Sequence, residues 1–98
     1  MFVWDEGNVD HLAKHAVMPE EAEQAIENAP LEIERQIRRG ESRTLYLGET
    51  AAHRVLFVVV TRRGEELRVV TAFPADRRSR KFYASQKVAN DVQDAGNT

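Results

Sequence analysis

The chain has 98 residues, a net charge of −2 at pH 7 and no cysteine, which excludes disulfides and thiolate chemistry and suits a reducing cytoplasm. No apolar run approaches the roughly twenty residues that a membrane-spanning helix needs, and the N-terminal residues lack the basic region of a signal peptide. We therefore expect one small cytoplasmic domain over residues 1–87, with 88–98 as a helix extension or a disordered tail.

The N-terminal third predicts a short strand and two helices. Phe2–Trp4 is an apolar opening typical of a strand attached to a sheet, and Asp5 is a favourable helix N-cap. Apolar residues at spacings of three and four predict a helix over Asn8–His15. Pro19 fits the first turn of a second helix, which the segment Asn28–Pro30 ends.

The central region predicts consecutive strands joined by short turns. Leu31–Ile37 alternates like a half-buried strand, and Thr44–Gly48 is a further strand. Arg54–Arg62 and Leu67–Phe73 flank a short glycine-containing connection and predict an antiparallel hairpin, which Pro74 ends. The fold class is therefore α+β, with three or four antiparallel strands and the N-terminal helices on one sheet face.

A basic helix over Ala75–Lys87 completes the predicted elements. Residues 1–34 hold nine acidic side chains and one basic one, whereas residues 35–87 hold thirteen basic and five acidic ones. This segregation favours one surface for an anion and another for a basic partner. Mutual neutralisation of the two halves across the fold is the alternative, and composition leaves both open.

The histidines are candidates for metal binding or proton transfer. His11 and His15 are four residues apart and share one helical face, but no glutamate follows His11, so we expect no metal site. Histidine is the default proton-transfer residue near neutral pH, although packing histidines are also common. Gly48 and Gly64 are expected to be isolated turn glycines, and no glycine-rich phosphate loop or nucleophilic serine motif is present.

The arginines carry the strongest signal, because guanidinium groups bind phosphate bidentately. Arg68 begins the last strand and is expected to share a face with Val70 and Ala72. Tyr83 lies in the basic helix and could stack on a base. A solvated cationic helix is the alternative. On the basic helix, the residues expected to lie on the surface next to Arg68 are Arg77, Arg80 and Lys81.

Two stretches of the chain carry distinctive motifs. The opening motif Trp4-Asp5-Glu6-Gly7-Asn8 is followed by His11, His15 and the acidic run Glu20–Glu23. The closing motif runs from Arg68 through Pro74-Ala75 into the arginine-rich helix. Together these motifs resemble the BrnT-like toxins, small components of bacterial type II toxin–antitoxin systems, and the resemblance covers nearly all of residues 2–83.

The resemblance implies a RelE-like fold and a metal-independent endoribonuclease that needs no cofactor and inhibits translation. In this chemistry a ribose 2′-OH attacks the adjacent phosphate. The implied partners are RNA and a cognate BrnA-like ribbon-helix-helix antitoxin, with DNA bound only through the antitoxin and no membrane contact.

The resemblance also implies roles for individual residues. Lys14 and His15 would act in acid–base chemistry or contact phosphate, and Tyr83 would contact a base or pack. The scissile phosphate would be bound by Arg68, Arg77 and Arg80. Further RNA contacts would come from Arg54, Arg78 and Lys81.

Two positions depart from the family pattern. The family commonly has an arginine where this chain has Phe73 and a glutamate where it has Ser79. Either neighbouring Arg77 and Arg78 replace the missing arginine, or the chain is a weakened or inactive module that binds RNA or an antitoxin. A third interpretation is a structural partner whose acidic N-terminal half docks a basic chain.

Overall fold

A computed structural model describes residues 1–96 and contains three helices and four strands. The strands pair antiparallel in chain order, β1-β2-β3-β4, which confirms the predicted α+β class. No helix in this described part is long and apolar enough to cross a membrane. The elements are α1 (Glu6–Ala13), α2 (Pro19–Glu27), β1 (Leu31–Arg38), β2 (Glu41–Glu49), β3 (Val55–Arg63), β4 (Glu66–Pro74) and α3 (Arg77–Gly96).

The N-terminal segment is attached to the sheet as predicted, but by a single bridge rather than a strand. Phe2 forms an isolated parallel bridge with Leu67. The Val3 N–H donates to the Leu67 carbonyl at 2.9 Å, and the Leu67 N–H donates to the Met1 carbonyl at 2.7 Å. These bonds place the segment along the outer edge of β4 and leave the chain positioned to enter α1.

Asp5 caps α1, as predicted. The Asn8 N–H donates to Asp5 Oδ1 at 3.0 Å and the Asp5 N–H donates to Asn8 Oδ1 at 2.7 Å, so two backbone donors are satisfied reciprocally. The helix ends at Ala13, two residues earlier than predicted. Ala16 adopts a left-handed φ of 56°, which turns the chain before α2 begins at Pro19.

One sheet face, here called the closed face, is covered by α1 and α2, as predicted. Its core joins the inner residues of both helices to alternate residues of β3 and β4. The buried members are Leu12, Val17, Ala22, Ala25, Leu56, Val58, Val60, Val69 and Ala72.

Gly48 lies inside β2, not in the predicted turn. A Cβ at this position would come within 2.3 Å of the Ala25 carbonyl oxygen of α2. The absent side chain therefore lets the backbone of α2 approach the sheet directly.

The other sheet face, here called the open face, is covered only at one end. There Tyr83 of α3 and Ala75 are buried against Leu47 of β2. Elsewhere on this face Leu45 and Val59 remain half-buried. Because β2 and β3 alternate, the open face also carries Arg43, Thr61 and Arg63, toward the end where β3 turns into β4.

The prediction that β1 is half-buried was wrong. Seven of its eight residues are exposed, and Ile37 retains 75% of its accessible surface. β1 is an edge strand, α2 packs against β2 and β3, and a register shift between Glu32 and Glu34 interrupts the alternation. Alternation alone does not reveal whether a layer covers the strand.

The expected common face of Arg68, Val70 and Ala72 was also wrong. Val59 pairs with Thr71 and Val60 pairs with Val69, so Val70 is an extra residue in β4. Such a bulge reverses the facing of the residues on either side of it. Ala72 therefore belongs to the closed-face core, whereas the Arg68 side chain lies on the open face.

The C-terminal helix α3 begins at Arg77, two residues later than predicted. Asp76 is its cap, because Asp76 Oδ1 accepts a hydrogen bond from the Ser79 N–H at 2.7 Å, and this bond lowers the pKa of Asp76. The helix continues to Gly96, through most of the segment expected to be a helix extension or a tail. Residues 97–98 of that segment lie outside the described residues.

Candidate nucleic-acid site on the open face

A cleft of about 470 Å³ lies between α1 and the open face, beside the β3–β4 turn. The strand register brings its floor together, because Arg43 of β2 pairs with Thr61 of β3, and Thr61 pairs with Arg68 of β4. α1 contributes the wall. The basic and imidazole side chains of the lining are His11, Arg43, Arg63 and Arg68.

Two arginines of this cleft are paired with carboxylates. Arg68 Nη2 donates to Asp5 Oδ2 at 2.5 Å, and Arg63 Nε lies 4.0 Å from Glu41 Oε1. The hydrogen bond from the Asn8 N–H and the Arg68 guanidinium together lower the pKa of Asp5, so this partner stays ionised at neutral pH. Both pairs are exposed, and such pairs orient side chains more than they stabilise a fold.

A row of rings leads from α1 onto the open face. The ring centroids of His11 and His15 lie 5.7 Å apart in an edge-on arrangement, so the two histidines are neighbours as predicted, although His15 lies in the turn after α1 and not on the helix. The His15 centroid lies 6.0 Å from that of Phe73, and the Phe73 centroid lies 5.3 Å from that of Phe57. Both imidazoles are exposed, so solvent and a ligand can reach them.

The cleft and the ring row are two ends of one groove, here called the α1–β4 groove. α1 runs in the same direction as β4, because Asp5 contacts Arg68 near the start of β4 and His15 lies beside Phe73 near its end. Five residue steps lead from Arg68 to Phe73, one of them at the Val70 bulge, so the separation matches the four steps from Thr61 to Phe57 on β3, about 13 Å. The cleft, which is lined by three arginines and also by Glu41 and Glu66, is thus continuous with an exposed imidazole pair.

The structure does not bring the three predicted phosphate-binding arginines together. Arg68 is six residues before Pro74, about 20 Å along the strand, and Arg77 lies beyond Pro74 at the start of α3. Arg80 Nη1 donates to the Ala75 carbonyl at 2.8 Å and so braces the link between β4 and α3. The remaining basic residues predicted on this helix, Arg78 and Lys81, are exposed.

Arg54, predicted to bind RNA, is committed to contacts within the protein. Its Nη1 donates to the Ala16 carbonyl at 2.8 Å and to both Glu21 carboxylate oxygens at 3.0 and 3.1 Å. Burial raises the pKa of Glu21, but the Met18 N–H and the Arg54 guanidinium outweigh it and lower that pKa overall. These hydrogen bonds connect α2 and the α1–α2 link to the residue that precedes β3.

Tyr83 is not available to a base, because its side chain packs into the protein and only 2% of its surface is exposed. Its hydroxyl has no hydrogen-bond partner among the described residues. Burial and the nearby Glu49 carboxylate raise the pKa of Tyr83. Lys87 Nζ lies 5.5 Å from the ring centre. Of the two roles expected for this residue, the structure shows packing.

Lys14 and the two departures from the family pattern lie near the imidazole end of the groove and the start of α3. Lys14 is exposed at the C-terminal end of α1, next in sequence to His15. Phe73 belongs to the ring row, and Ser79 is half-buried in the first turn of α3. An arginine at position 73 would therefore lie beside His15.

Three residues of the groove were not among the predicted site residues: His11, Arg43 and Arg63. His11 was weighed as a proton-transfer residue, and its spacing from His15 was the available signal. Arg43 and Arg63 required the register of β2 against β3, which the sequence does not state. In residues 1–96 no group of three or more histidine, cysteine, aspartate or glutamate side chains could hold a metal ion.

Comparison with protein families gives one match, which spans most of the chain. Residues 4–79 match the family described as "Ribonuclease toxin, BrnT, of type II toxin-antitoxin system". The matched range begins at Trp4 and ends in the first turn of α3, so it contains the whole α1–β4 groove. No curated protein matches the chain.

Proposed function

This chain belongs to the family of BrnT ribonuclease toxins of type II toxin–antitoxin systems, and from that premise we propose that it is a metal-independent endoribonuclease that inhibits translation. The observation that carries the proposal is the α1–β4 groove, where an exposed imidazole pair adjoins a basic cleft. RNA cleavage needs both features, because phosphates attract cationic side chains and the reaction moves two protons.

The reacting phosphate lies at the imidazole end of the groove, beside His15. One imidazole accepts the proton of the ribose 2′-OH as its oxygen attacks the adjacent phosphorus atom. The other imidazole donates a proton to the departing 5′-oxygen. Lys14 neutralises charge that develops on the phosphate, and neither step calls for a metal ion.

The RNA strand continues from this centre in both directions. Arg68 at the basic end of the groove contacts the backbone on one side, and Arg77, Arg78 and Lys81 contact it on the other. A BrnA-like ribbon-helix-helix antitoxin covers the groove and supplies the DNA contact of the complex. The RelE-like fold assignment belongs to the same proposal.

A second candidate function rests on Phe73 and Ser79. The Phe73 ring occupies the place beside His15 where the family commonly has an arginine, and Ser79 replaces a commonly found glutamate. Loss of a guanidinium at this place removes stabilisation of the reacting phosphate. The chain would then bind RNA or the antitoxin through the same groove without cutting.

The decisive experiment incubates the purified chain with single-stranded RNA and a metal chelator. We expect cleavage by the wild type and a loss of about a hundredfold or more in the His11→Gln/His15→Gln variant, because both proton-transfer groups are removed. His53→Gln is the matched control, since His53 is exposed and pairs with Glu49 away from the groove. Its rate should equal that of the wild type.

The outcomes separate the two functions. Intact RNA at high protein concentration, together with salt-sensitive RNA binding, would contradict the enzyme and support the binding module. Cleavage that survives loss of both histidines would show that the imidazole pair is not the reacting centre.

A further inference from the structure

Arg43 differs from the other arginines of the cleft in lacking a carboxylate partner. Arg68 pairs with Asp5 and Arg63 approaches Glu41, but within the part of the chain that the structure describes no carboxylate lies within 4.0 Å of the Arg43 guanidinium. Arg43 is also half-buried, on an inner strand of the sheet. Its neighbours across the sheet are Gln36 and Thr61, which are uncharged.

Partial burial without a carboxylate partner costs Arg43 free energy of hydration, and a bound anion would offset that cost. A half-buried cation loses part of its hydration, and Glu34 and Glu41, which line the same surface as Arg43, form no ion pair with it within 4.0 Å that would replace that hydration. Guanidinium groups are weakly hydrated and present a planar fork of donors that matches a phosphate. Because Asp5 and Glu41 already offset Arg68 and Arg63, Arg43 is the arginine of the cleft whose charge is left to an incoming anion.

We propose that Arg43 anchors a backbone phosphate of the RNA that is not the one cleaved. This inference rests on the proposed RNA function and adds a binding residue that neither the sequence motif nor the family description assigns. It also gives the groove a direction: RNA enters between α1 and the β3–β4 turn and reaches the imidazole pair at the other end.

The strand register separates Arg43 from the reacting phosphate, which we place beside His15; His11, the other imidazole, lines the cleft that also holds Arg43. Arg43 lies in the row Arg43–Thr61–Arg68, whereas His15 lies beside Phe73 in the row Leu47–Phe57–Phe73. Four residues along β2 separate these rows, a distance of about 13 Å. A phosphate held by Arg43 is bound equally before and during cleavage, so this contact contributes to KM and not to kcat.

The test compares Arg43→Gln with the matched control Arg62→Gln. Arg62 pairs with Ser42, the residue before Arg43, and lies on the opposite side of the sheet; it is exposed and, among the described side chains of residues 1–89, has no carboxylate within 4.0 Å. Both changes remove one positive charge from neighbouring positions. The ligand is a single-stranded RNA whose 2′-hydroxyls are methylated, so it binds but cannot be cut.

We expect Arg43→Gln to weaken this binding about tenfold or more, as loss of a charge-assisted hydrogen bond does. We also expect the slope of log affinity against log salt to fall by about 0.7, the value for one phosphate contact on a single strand. Arg62→Gln should change neither quantity. With cleavable RNA, Arg43→Gln should raise KM and leave kcat within about twofold of the wild type.

Arg43→Lys keeps the proposal testable if the glutamine variant folds poorly. Lysine retains the positive charge but not the planar set of guanidinium donors. The slope of log affinity against log salt should therefore equal that of the wild type, while the affinity stays below that of the wild type. Equal binding by Arg43→Gln and Arg62→Gln, alongside salt-sensitive binding by the wild type, would overturn the anchor and leave the RNA function standing. A fall in kcat without a rise in KM would move Arg43 to the scissile phosphate, against the proposal. Absence of RNA binding by the wild type would overturn both.

Discussion

On the closed face of the sheet, two helices bury nine apolar residues to 4% exposure or less, whereas the open face leaves much of its surface to solvent. Among the side chains that the structure describes, Tyr83 of α3 and Ala75, which precedes that helix, are buried against one end of the open face. The fold's packing energy is therefore concentrated on one side of the sheet. Concentrating stability there frees the other side to carry exposed rings and partly satisfied charges, which a binding surface needs.

Two arginines show the same contrast at the level of single side chains. Arg54 and Arg43 are both half-buried, Arg43 on the inner strand β2 and Arg54 just before the inner strand β3. Arg54 is enclosed by the Ala16 carbonyl and the Glu21 carboxylate, so its donors are used inside the protein. Arg43 meets no carboxylate in the described residues and faces the cleft. Both residues are arginines, so the groups that pack beside each one decide whether it serves the fold or a ligand.

The largest expected effect comes from filling the closed face. Gly48→Ala places a methyl group 2.3 Å from the Ala25 carbonyl oxygen, a backbone atom that moves only if α2 moves. We expect the free energy of unfolding to fall by about 1–3 kcal/mol or more, the cost of overpacking. Chemical denaturation at neutral pH measures the change.

Gly64→Ala is the control for this substitution. Gly64 has a positive φ of 57° and no heavy atom within 4 Å of an added Cβ, so its loss reflects backbone strain alone, about 1 kcal/mol. Equal losses in the two variants would show that close approach of α2 is not what Gly48 provides.

Gly48 also shows where prediction from the sequence stopped. The Asp5 cap of α1, the start of α2 at Pro19, the β3–β4 hairpin and the strand order follow from local chemistry and short connections. The role of Gly48, the exposure of Ile37 and the bulge at Val70 depend on which layer packs where. Those are properties of tertiary packing, which periodicity does not contain.

The residues of the candidate site likewise divide into those that the sequence predicted and those that depend on tertiary packing. The motif around His15 and the position of Arg68 predicted two residues of the groove. Sequence reasoning also selected Arg54, for its charge, and Tyr83, as a residue that could stack on a base; the structure uses them for an ion pair and for packing. It could not single out Arg43, because what distinguishes that arginine is the carboxylate it lacks.

The next largest effect concerns the ion pair between Arg54 and Glu21. The lowered pKa of Glu21 means that its ionised form stabilises the fold above its ordinary value of 4.5, and that this contribution is lost as pH falls through the folded-state pKa. Glu21→Gln should therefore cost about 1 kcal/mol near neutral pH, and the difference from the wild type should vanish at acidic pH. Thermal unfolding across a pH series measures it.

Glu27→Gln is the control for the pH series, since Glu27 is exposed on the same helix. It should leave the pH dependence of stability unchanged. A difference between Glu21→Gln and the wild type that grows as pH falls would contradict the ion pair as its source.

The smallest effect tests how α3 is held to the open face. Tyr83 is buried to 2% exposure, yet its hydroxyl has no partner among the described residues, so the fold bears a desolvation cost for that oxygen. Tyr83→Phe keeps the ring against Leu47 and removes the oxygen; we expect unfolding free energy to rise by up to about 1 kcal/mol. Tyr46→Phe, at a half-buried position packed on the closed-face core, should change it by a few tenths at most. A loss of stability in Tyr83→Phe would mean that the hydroxyl makes a bond and that α3 is fixed by a polar contact. A gain would mean that apolar packing of the ring, and not a bond from its hydroxyl, holds Tyr83 against the open face, leaving the polar groups of that face to the groove.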